Sequence, residues 1–416
     1  MRWGVLRERF KGVAWKRLTP HEVDPEVSNG HEFQGVGALR DLLGTETRRD
    51  MPAKYLLLAD DPEDTIAVAS TISWYDARAN QAHRSAEWRL YYPNAAGAIQ
   101  ARMQAGDLMV ICCGASDEIA VLLARTGSSS EAQLRALFGV TEEGPKSVEV
   151  KSFGSAQTLD FISAMILEEL GLGKASLQQD SEADEVAALA ETLIGRFPNA
   201  LPTSAEVSAL VGAGVKNIDV IADPDHALMR WVEAEAAAFR TWEDARIARR
   251  LAEGFGDASG TTDVSGFRTF TMTLRQSRVS RAGSALQNHT ARMLDAHGVH
   301  YEAQATTEKG ERPDFLFPGS AEYADPKYPS SQLRLLAVKF TLKERWRQIL
   351  NEAARVKIKH VLTMDGAVTR STLKGMREAQ LHVSMPATLR ATYPATMQAE
   401  ILSVRDLLLG PLAAHR

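Results

Sequence analysis

Short apolar and β-branched runs, separated by turn residues, fill the first third of the chain. Tyr-Leu-Leu-Leu at 55–58, Thr-Ile-Ala-Val-Ala-Ser-Thr-Ile at 65–72, Leu-Tyr-Tyr at 90–92, Asp-Leu-Met-Val-Ile-Cys-Cys at 107–113 and Ala-Val-Leu-Leu-Ala at 120–124 predict strands. Residues 50–150 therefore read as a small β-barrel or sandwich. Near residue 160 the spacing of apolar positions becomes helical, and Phe161–Leu170 predicts a helix stopped by Gly171 and Gly173. The polar, acidic stretch beginning at Lys174 predicts a linker. Helices resume over 204–253, interrupted near Leu210–Gly214 and at Asp223–Asp225. Residues 253–263 read as a loop and Ser280–His297 as a further helix, with strands and helices following to the end. The expected organisation is a β-rich domain over 1–173, a linker over 174–194 and a mixed helix-and-strand domain over 195–416. No internal repeat or low-complexity tract is visible.

A length of 416 residues agrees with two or three domains, and 44% hydrophobic with 24% charged residues is ordinary for a globular protein. No apolar run is long enough to predict a transmembrane helix, and Met1–Arg17 lacks the apolar stretch of a secretory signal. The only cysteines, Cys112 and Cys113, are adjacent. They predict two small apolar residues of a buried strand in a reducing, cytoplasmic setting rather than a disulfide or zinc site. The net charge of −5 excludes a generally basic DNA-coating protein. Its distribution is uneven. From residue 270 to the end there are 21 Lys and Arg against 13 Asp and Glu, a local +8, which leaves −13 for the rest. Leu333–His360 holds eight basic residues against Glu344 and Glu352. Such a stretch suits a polyanion partner, and a solvated helix face accounts for it equally well.

Candidate chemistry lies in the same region. Arg-Pro-Asp-Phe-Leu-Phe-Pro at 312–318 places Asp314 at the start of a predicted strand, and Leu-Arg-Leu-Leu-Ala-Val-Lys-Phe-Thr at 333–341 predicts a second strand carrying Lys339. A carboxylate beside a lysine on a neighbouring strand is an arrangement used by nucleases. Mg²⁺ takes hard oxygen ligands, one or two of them carboxylates, and a nearby ammonium holds water and offsets transition-state charge. The usual acid two residues before the lysine is missing, because the position is Ala337. Trp346, Ile349, Leu350, Ala353 and Val356 form an apolar stripe that predicts an amphipathic helix over 342–356. Glu352 beside that stripe is the candidate for the missing carboxylate. Lys343, Glu344 and Arg345 stand at the start of the helix, where basic side chains can read guanine edges and glutamate can accept from cytosine. Taken singly, Asp314 also fits a strand-end cap, Lys339 a snorkelling lysine and Glu352 a surface ion-pair partner. His289, His297 and His300 read as plain surface histidines.

Arg-Pro-Asp-Phe-Leu-Phe-Pro, Leu-Leu-Ala-Val-Lys and Lys-Glu-Arg-Trp-Arg-Gln-Ile-Leu-Asn-Glu-Ala, in this order and spacing, resemble the EcoRII family of type II restriction endonucleases. Ser-Arg-Ala-Gly at 280–283, Gly-Phe-Gly at 254–256 and Tyr-Pro-Ala-Thr-Met-Gln-Ala-Glu-Ile at 393–401 extend the resemblance. It implies an α/β restriction-endonuclease-like domain, a mixed sheet flanked by helices, acting as a homodimer on a short double-stranded DNA palindrome with CC and GG ends. It further implies Mg²⁺ held by Asp314 and Glu352, with Lys339 completing the catalytic set and Tyr323 at the place of a functionally important tyrosine. Lys343, Glu344 and Arg345 fall on base-reading positions, and Arg347 and Arg281 become DNA-contact candidates. A DNA methyltransferase is the implied functional partner. Gln287 departs from the pattern, since the family tends to place a glutamate there; this puts a two-metal mechanism in doubt and leaves a one-metal mechanism intact.

Family members can also carry an N-terminal B3-like barrel that binds a second copy of the DNA site and restrains cleavage until it is occupied. The β-rich reading of 50–150 is compatible with such an effector domain, and Arg78, Arg84 and Arg89 are its DNA-binding candidates. Trp88, Leu90 and Tyr92 alternate as one buried strand face, which leaves Arg89 and Tyr91 on the other. Two other functions fit the residues. One is a nuclease of repair or recombination that reads DNA structure; the other is a catalytically inactive DNA-binding protein, which Gln287 favours.

Overall fold

The computed structural model describes residues 6–24, 31–59, 64–81, 83–96, 99, 101–115, 117–140, 148–153, 161–172, 181–198, 200–256, 262–342 and 346–416, with only the backbone of 161, 162, 169, 275–280 and 309. The chain divides into two units, residues 2–176 and 177–416.

The first unit is built on one sheet of eight strands: β1 (Phe10–Arg17), β2 (Glu32–Phe33), β3 (Arg48–Leu58), β4 (Ile66–Asp76), β5 (Trp88–Tyr91), β6 (Leu108–Gly114), β7 (Ile119–Ala124) and β8 (Glu149–Ser152). Their order is β2-β5-β4-β3-β7-β6-β1-β8, and only β3 and β7 run parallel. Among the described residues the edge strands β2 and β8 do not pair. Val148 N, just before β8, donates to Gly35 O, just after β2, at 3.1 Å. The sheet thus curls into a half-barrel instead of closing. Period-two alternation explains its core. Trp74, Trp88, Leu90, Ile111 and Val121 face one cluster, in which Trp74 and Trp88 stack at 4.8 Å. Tyr91 on the opposite face is exposed. β6 and β7 are apolar at nearly every position because both of their faces are covered; helix α1 (Ser129–Phe138) lies against β7, and Phe138 packs edge-on to Phe10. Cys112 and Cys113 are buried, free thiols, and burial pushes Cys113 up to about 12.

The second unit opens with four mutually packed helices, α2 (Ser181–Arg196), α3 (Ser204–Gly214), α4 (Pro224–Glu253) and α5 (Val264–Ala296). The stretch expected as a linker contains a helix: Val186, Leu189, Ala190 and Leu193 recur at helical spacing and are buried, and all of 181–194 belongs to α2, packed on α4. Its acidic residues have a structural use: Glu185 meets the buried Arg230 of α4 at 2.9 Å, and Glu182 meets it at 3.4 Å. Helix α5 begins well before Ser280 and extends the expected Ser280–His297 element. His289 on α5 is fully buried rather than on the surface, 2.8 Å from Glu235 and stacked on Trp231. His300 is exposed and His297 half-buried.

The sheet of this unit has five strands: β9 (Glu302–Ala303), β10 (Phe315–Phe317), β11 (Arg334–Lys339), β12 (Lys359–Thr363) and β13 (Leu381–Ser384), in the order β13-β12-β11-β10-β9. β9, β10 and β11 are antiparallel, and β11, β12 and β13 are parallel. Parallel neighbours need crossovers. These contain α6 (Trp346–Asn351) between β11 and β12, and α7 (Arg370–Glu378) between β12 and β13. α5 lies against β11. The result is the expected mixed sheet flanked by helices. Asp225 ties its far end together. This buried carboxylate accepts from Ala387 N at 2.8 Å, Val404 N at 2.9 Å and Arg405 N at 3.0 Å, joining α4 to the starts of two later helices. Among the described residues no helix is long and apolar enough to cross a membrane.

Candidate active site

Asp314 and Lys339 are brought together by the antiparallel register of β10 and β11, in which Phe315 faces Leu336. Asp314 stands immediately before β10, opposite the end of β11. Its Oδ2 accepts from Lys339 Nζ at 3.0 Å and from Val338 N at 2.8 Å, and its Oδ1 accepts from Gln304 Nε2 at 3.1 Å. The side chains retain 13% and 26% exposure, so a ligand can reach the pair. Ala337, where an acid was missing, is fully buried in the middle of β11.

Glu352 comes to the same place from the β11–β12 crossover. The expected helix over 342–356 is shorter: α6 ends at Asn351, and Glu352 lies in the turn beyond it. Ala353 adopts a left-handed φ of 47°, which ends the helix. The buried positions of the stripe, Trp346, Ile349, Ala353 and Val356, hold the segment against the unit. Burial pushes the Glu352 carboxyl up; the Lys339 ammonium opposes this, and Asp314 and Glu311 add to it. Three charged groups thus share one electrostatic site. The Oε2 of Glu352 is buried and has no hydrogen-bond partner among the described residues. A buried carboxylate oxygen left without a donor is suited to a cation. The donor set is lean: among the described residues no three His, Cys, Asp or Glu gather as ligands. Asp314 and Glu352 fit Mg²⁺, which commonly takes one or two carboxylates and completes its shell with water and phosphate oxygens.

Tyr323 is buried and braces this turn. Its hydroxyl bonds Glu308 and accepts the Arg355 N–H at 3.3 Å. The Arg355 guanidinium bonds the carbonyls of Tyr323 and Tyr328. Burial raises the Tyr323 hydroxyl to about 12, so it stays protonated near neutrality. Lys359, which the sequence did not single out, is buried on β12 with its ammonium against the end of α6. A lysine opening an apolar strand carries no periodicity signal, and its partners are main-chain carbonyls that have no sequence signature.

The DNA-contact candidates fare differently. Lys343, Glu344 and Arg345 lie outside the described residues. Leu342, just before them, is anchored by its N–H to Asp365 Oδ2 at 2.9 Å. Arg347 is exposed on α6, 5.2 Å from the Trp346 ring. Arg281 departs from expectation: it is buried, lies 4.0 Å over the Phe239 ring and bonds the Pro202 carbonyl. So enclosed by α4 and the chain before α3, it packs these segments together. In the first unit, Arg89 sits between Glu32 at 2.5 Å and Glu87 at 2.6 Å, and Arg78 reaches Glu87 at 2.5 Å. Arg84 is exposed nearby. The Arg89 hydrogen bond, followed by the charges of Arg89, Arg78 and Arg84, holds the Glu87 carboxyl below its usual range.

Residues 239–408 match the family model described as EcoRII C terminal. The chain is 35% identical over 183 residues to the type II restriction enzyme EcoRII of Escherichia coli, covering 44% of each protein. It is 27% identical over 151 residues to the type II restriction enzyme SsoII of Shigella sonnei, covering 34% of this chain and 48% of that enzyme. The chain therefore matches about half the length of these relatives or less. Among solved structures, metal-depleted Ecl18kI in complex with uncleaved, modified DNA aligns with a TM-score of 0.43 at 19% identity, covering 57% of this chain and 86% of that one. A PspGI–substrate DNA complex aligns with a TM-score of 0.38 at 17% identity, covering 55% and 93%. The family match over 239–408 spans α5, the β10–β11 pair and the Glu352 turn, so the second unit is similar to the EcoRII C-terminal family in the part that carries the candidate site.

Proposed function

We propose that the protein is a Mg²⁺-dependent type II restriction endonuclease that hydrolyses double-stranded DNA at a short palindrome with CC and GG ends. The observation that carries this is the convergence of Asp314, Lys339 and Glu352, with one buried Glu352 oxygen free of hydrogen bonds among the described residues. Asp314 and Glu352 would hold the metal. When bound, Mg²⁺ supplies charge that stabilises the phosphate's developing negative charge and lowers the pKa of water. Lys339 is tethered through Asp314, so its ammonium is aimed at the same point, where it can orient water and offset charge in the transition state. Tyr323 and Arg355 fix the turn that carries Glu352. Arg347 supplies a cation on α6, and Lys343, Glu344 and Arg345 are assigned to reading bases. Two copies related by a two-fold axis would each cut one strand of the palindrome. A methyltransferase of the same specificity would protect host DNA.

The first unit, with Arg78, Arg84 and Arg89 on its sheet, is assigned to binding a second DNA site and to restraining cleavage. Its support is the curled β-rich fold and the resemblance of the second unit to a family in which such a domain occurs. A fragment spanning 177–416 that cut no faster than the full chain would count against restraint.

Digestion of a long DNA of known sequence tests the main assignment. Discrete fragments that require Mg²⁺ and disappear with Asp314→Ala and Lys339→Ala are expected, and their ends give the recognition sequence. Metal-independent DNA binding without cleavage would instead support an inactive DNA-binding protein. Cleavage confined to branched DNA would indicate a structure-reading nuclease.

A further inference from the structure

Lys359 occupies the first position of β12, between Leu335 of β11 and Leu381 of β13. Its side chain turns toward the end of α6. Nζ donates to Leu350 O at 2.5 Å and Glu352 O at 2.6 Å, and lies 3.4 Å from Ile349 O. Leu350 O belongs to the last turn of α6, where a terminating helix leaves carbonyls without helical partners, and Glu352 O to the turn beyond it. A cation at a helix C-terminus also meets the negative end of the helix dipole. The residue is 6% exposed, so the ammonium gives up water and has these carbonyls in exchange. An unpaired buried charge is costly, which makes the contact geometrically demanding.

The consequence concerns Glu352. Its backbone is gripped by Lys359 on one side, while the following turn is gripped by Tyr323 through the Arg355 N–H on the other. Its carboxyl has no hydrogen bond at Oε2 among the described residues. The position of that carboxyl is therefore set by its main chain, and the main chain is set by Lys359. We propose that Lys359 is a positioning residue for the metal-binding site, acting through Glu352 and making no contact with DNA or the reacting phosphate. This rests on Asp314 and Glu352 being the metal ligands.

The test compares wild type, Lys359→Met, Glu352→Ala and the double variant as full-length protein. Three quantities are read: Mn²⁺ affinity by calorimetry without DNA, the Mg²⁺ concentration for half-maximal cleavage, and DNA affinity in EDTA. Lys359→Met is expected to weaken Mn²⁺ binding and raise the Mg²⁺ half-point by about tenfold or more, on the scale of lost ligand support. DNA affinity in EDTA should stay within about twofold, since the substitution removes no group assigned to DNA contact. In the Glu352→Ala background, Lys359→Met should add no further change in Mn²⁺ affinity. Unchanged metal binding in a folded Lys359→Met, or a further equal loss in the Glu352→Ala background, overturns the proposal. If Lys359→Met does not melt cooperatively, Lys359→Gln, which keeps a donor for the helix carbonyls, is measured the same way. Loss of folding in both would make Lys359 a stability residue and also overturn the proposal. Wild type that neither binds Mn²⁺ nor cleaves would instead overturn the nuclease assignment, so the two failures are distinguishable.

Discussion

Asp314 Oδ2 accepts two hydrogen bonds from adjacent residues of β11, the Lys339 ammonium at 3.0 Å and the Val338 N–H at 2.8 Å. The carboxylate is thus fixed by the strand it faces, and its charge remains partly accessible. Asp314→Asn preserves the shape of the side chain and removes its charge. Cleavage should fall by at least about a hundredfold, the scale on which metal sites respond to lost support. Stability without metal should change by about 1 kcal/mol or less, because a part-exposed ion pair contributes little. Single-turnover cleavage and urea unfolding check both. A loss of stability that accounted for the lost activity would sink the assignment.

The Asp314–Lys339 pair was legible because both residues adjoin strands whose apolar runs are strong signals. Glu352 was legible as a neighbour of that pair but not as a turn residue. Trp346 and Ile349 announce a helix, whereas what stops it, a left-handed Ala353 with Lys359 on the carbonyls of Leu350 and Glu352, depends on tertiary contacts. The Trp88–Leu90–Tyr92 alternation gave the buried face of β5 directly. Helix α2 was missed because acidic composition hid an apolar stripe whose charges pair with Arg230. Arg281 and His289 were misplaced for a related reason: a long helix buried on several sides encloses polar residues, and their partners come from distant sequence.

Arg281 and Arg347 separate packing from DNA contact. Arg281→Ala should destabilise the second unit by about 3 kcal/mol, the scale for removing a buried charged partner. It should leave the salt dependence of DNA binding unchanged. Arg347→Ala should alter stability by about 0.5 kcal/mol or less and reduce the slope of log affinity against log salt by about one. Binding titrations at several salt concentrations and urea melts give both numbers. An Arg281 variant with a shallower salt slope and normal stability would restore it as a phosphate contact.

His360 predicts the acid limb of stability. It is buried on β12 between Leu336 and His382, with neither ring nitrogen hydrogen-bonded among the described residues. Burial, followed by the His382 and Arg334 charges, depresses it from 6.5 to about 3. The folded state resists protonation that the unfolded chain accepts. The stability this provides is complete above pH 6.5 and is lost as the pH falls from there through about 3. The slope from this group reaches about 1.4 kcal/mol per pH unit, the equivalent of one proton. Urea unfolding across this range should show His360→Leu with a flatter slope than wild type by up to that amount. An identical slope in the variant would exclude His360 as the source.

Helix α2 sets the boundary of the second unit. A fragment beginning at residue 177 retains Val186, Leu189 and Leu193 against α4, and keeps Glu182 and Glu185 beside Arg230. A fragment beginning at 195 loses all of these. Each large apolar contact removed is worth up to about 2 kcal/mol. Leaving the buried Arg230 without its carboxylates adds about 3 kcal/mol. The shorter fragment is therefore expected to unfold at markedly lower urea than the longer one, or to lack a cooperative transition. Equal midpoints for the two would mean that α2 is dispensable and that the boundary lies after it, as its composition first suggested. The comparison also fixes which fragment can test restraint by the first unit, since a catalytic domain weakened by truncation would mimic inhibition relieved and lost at once.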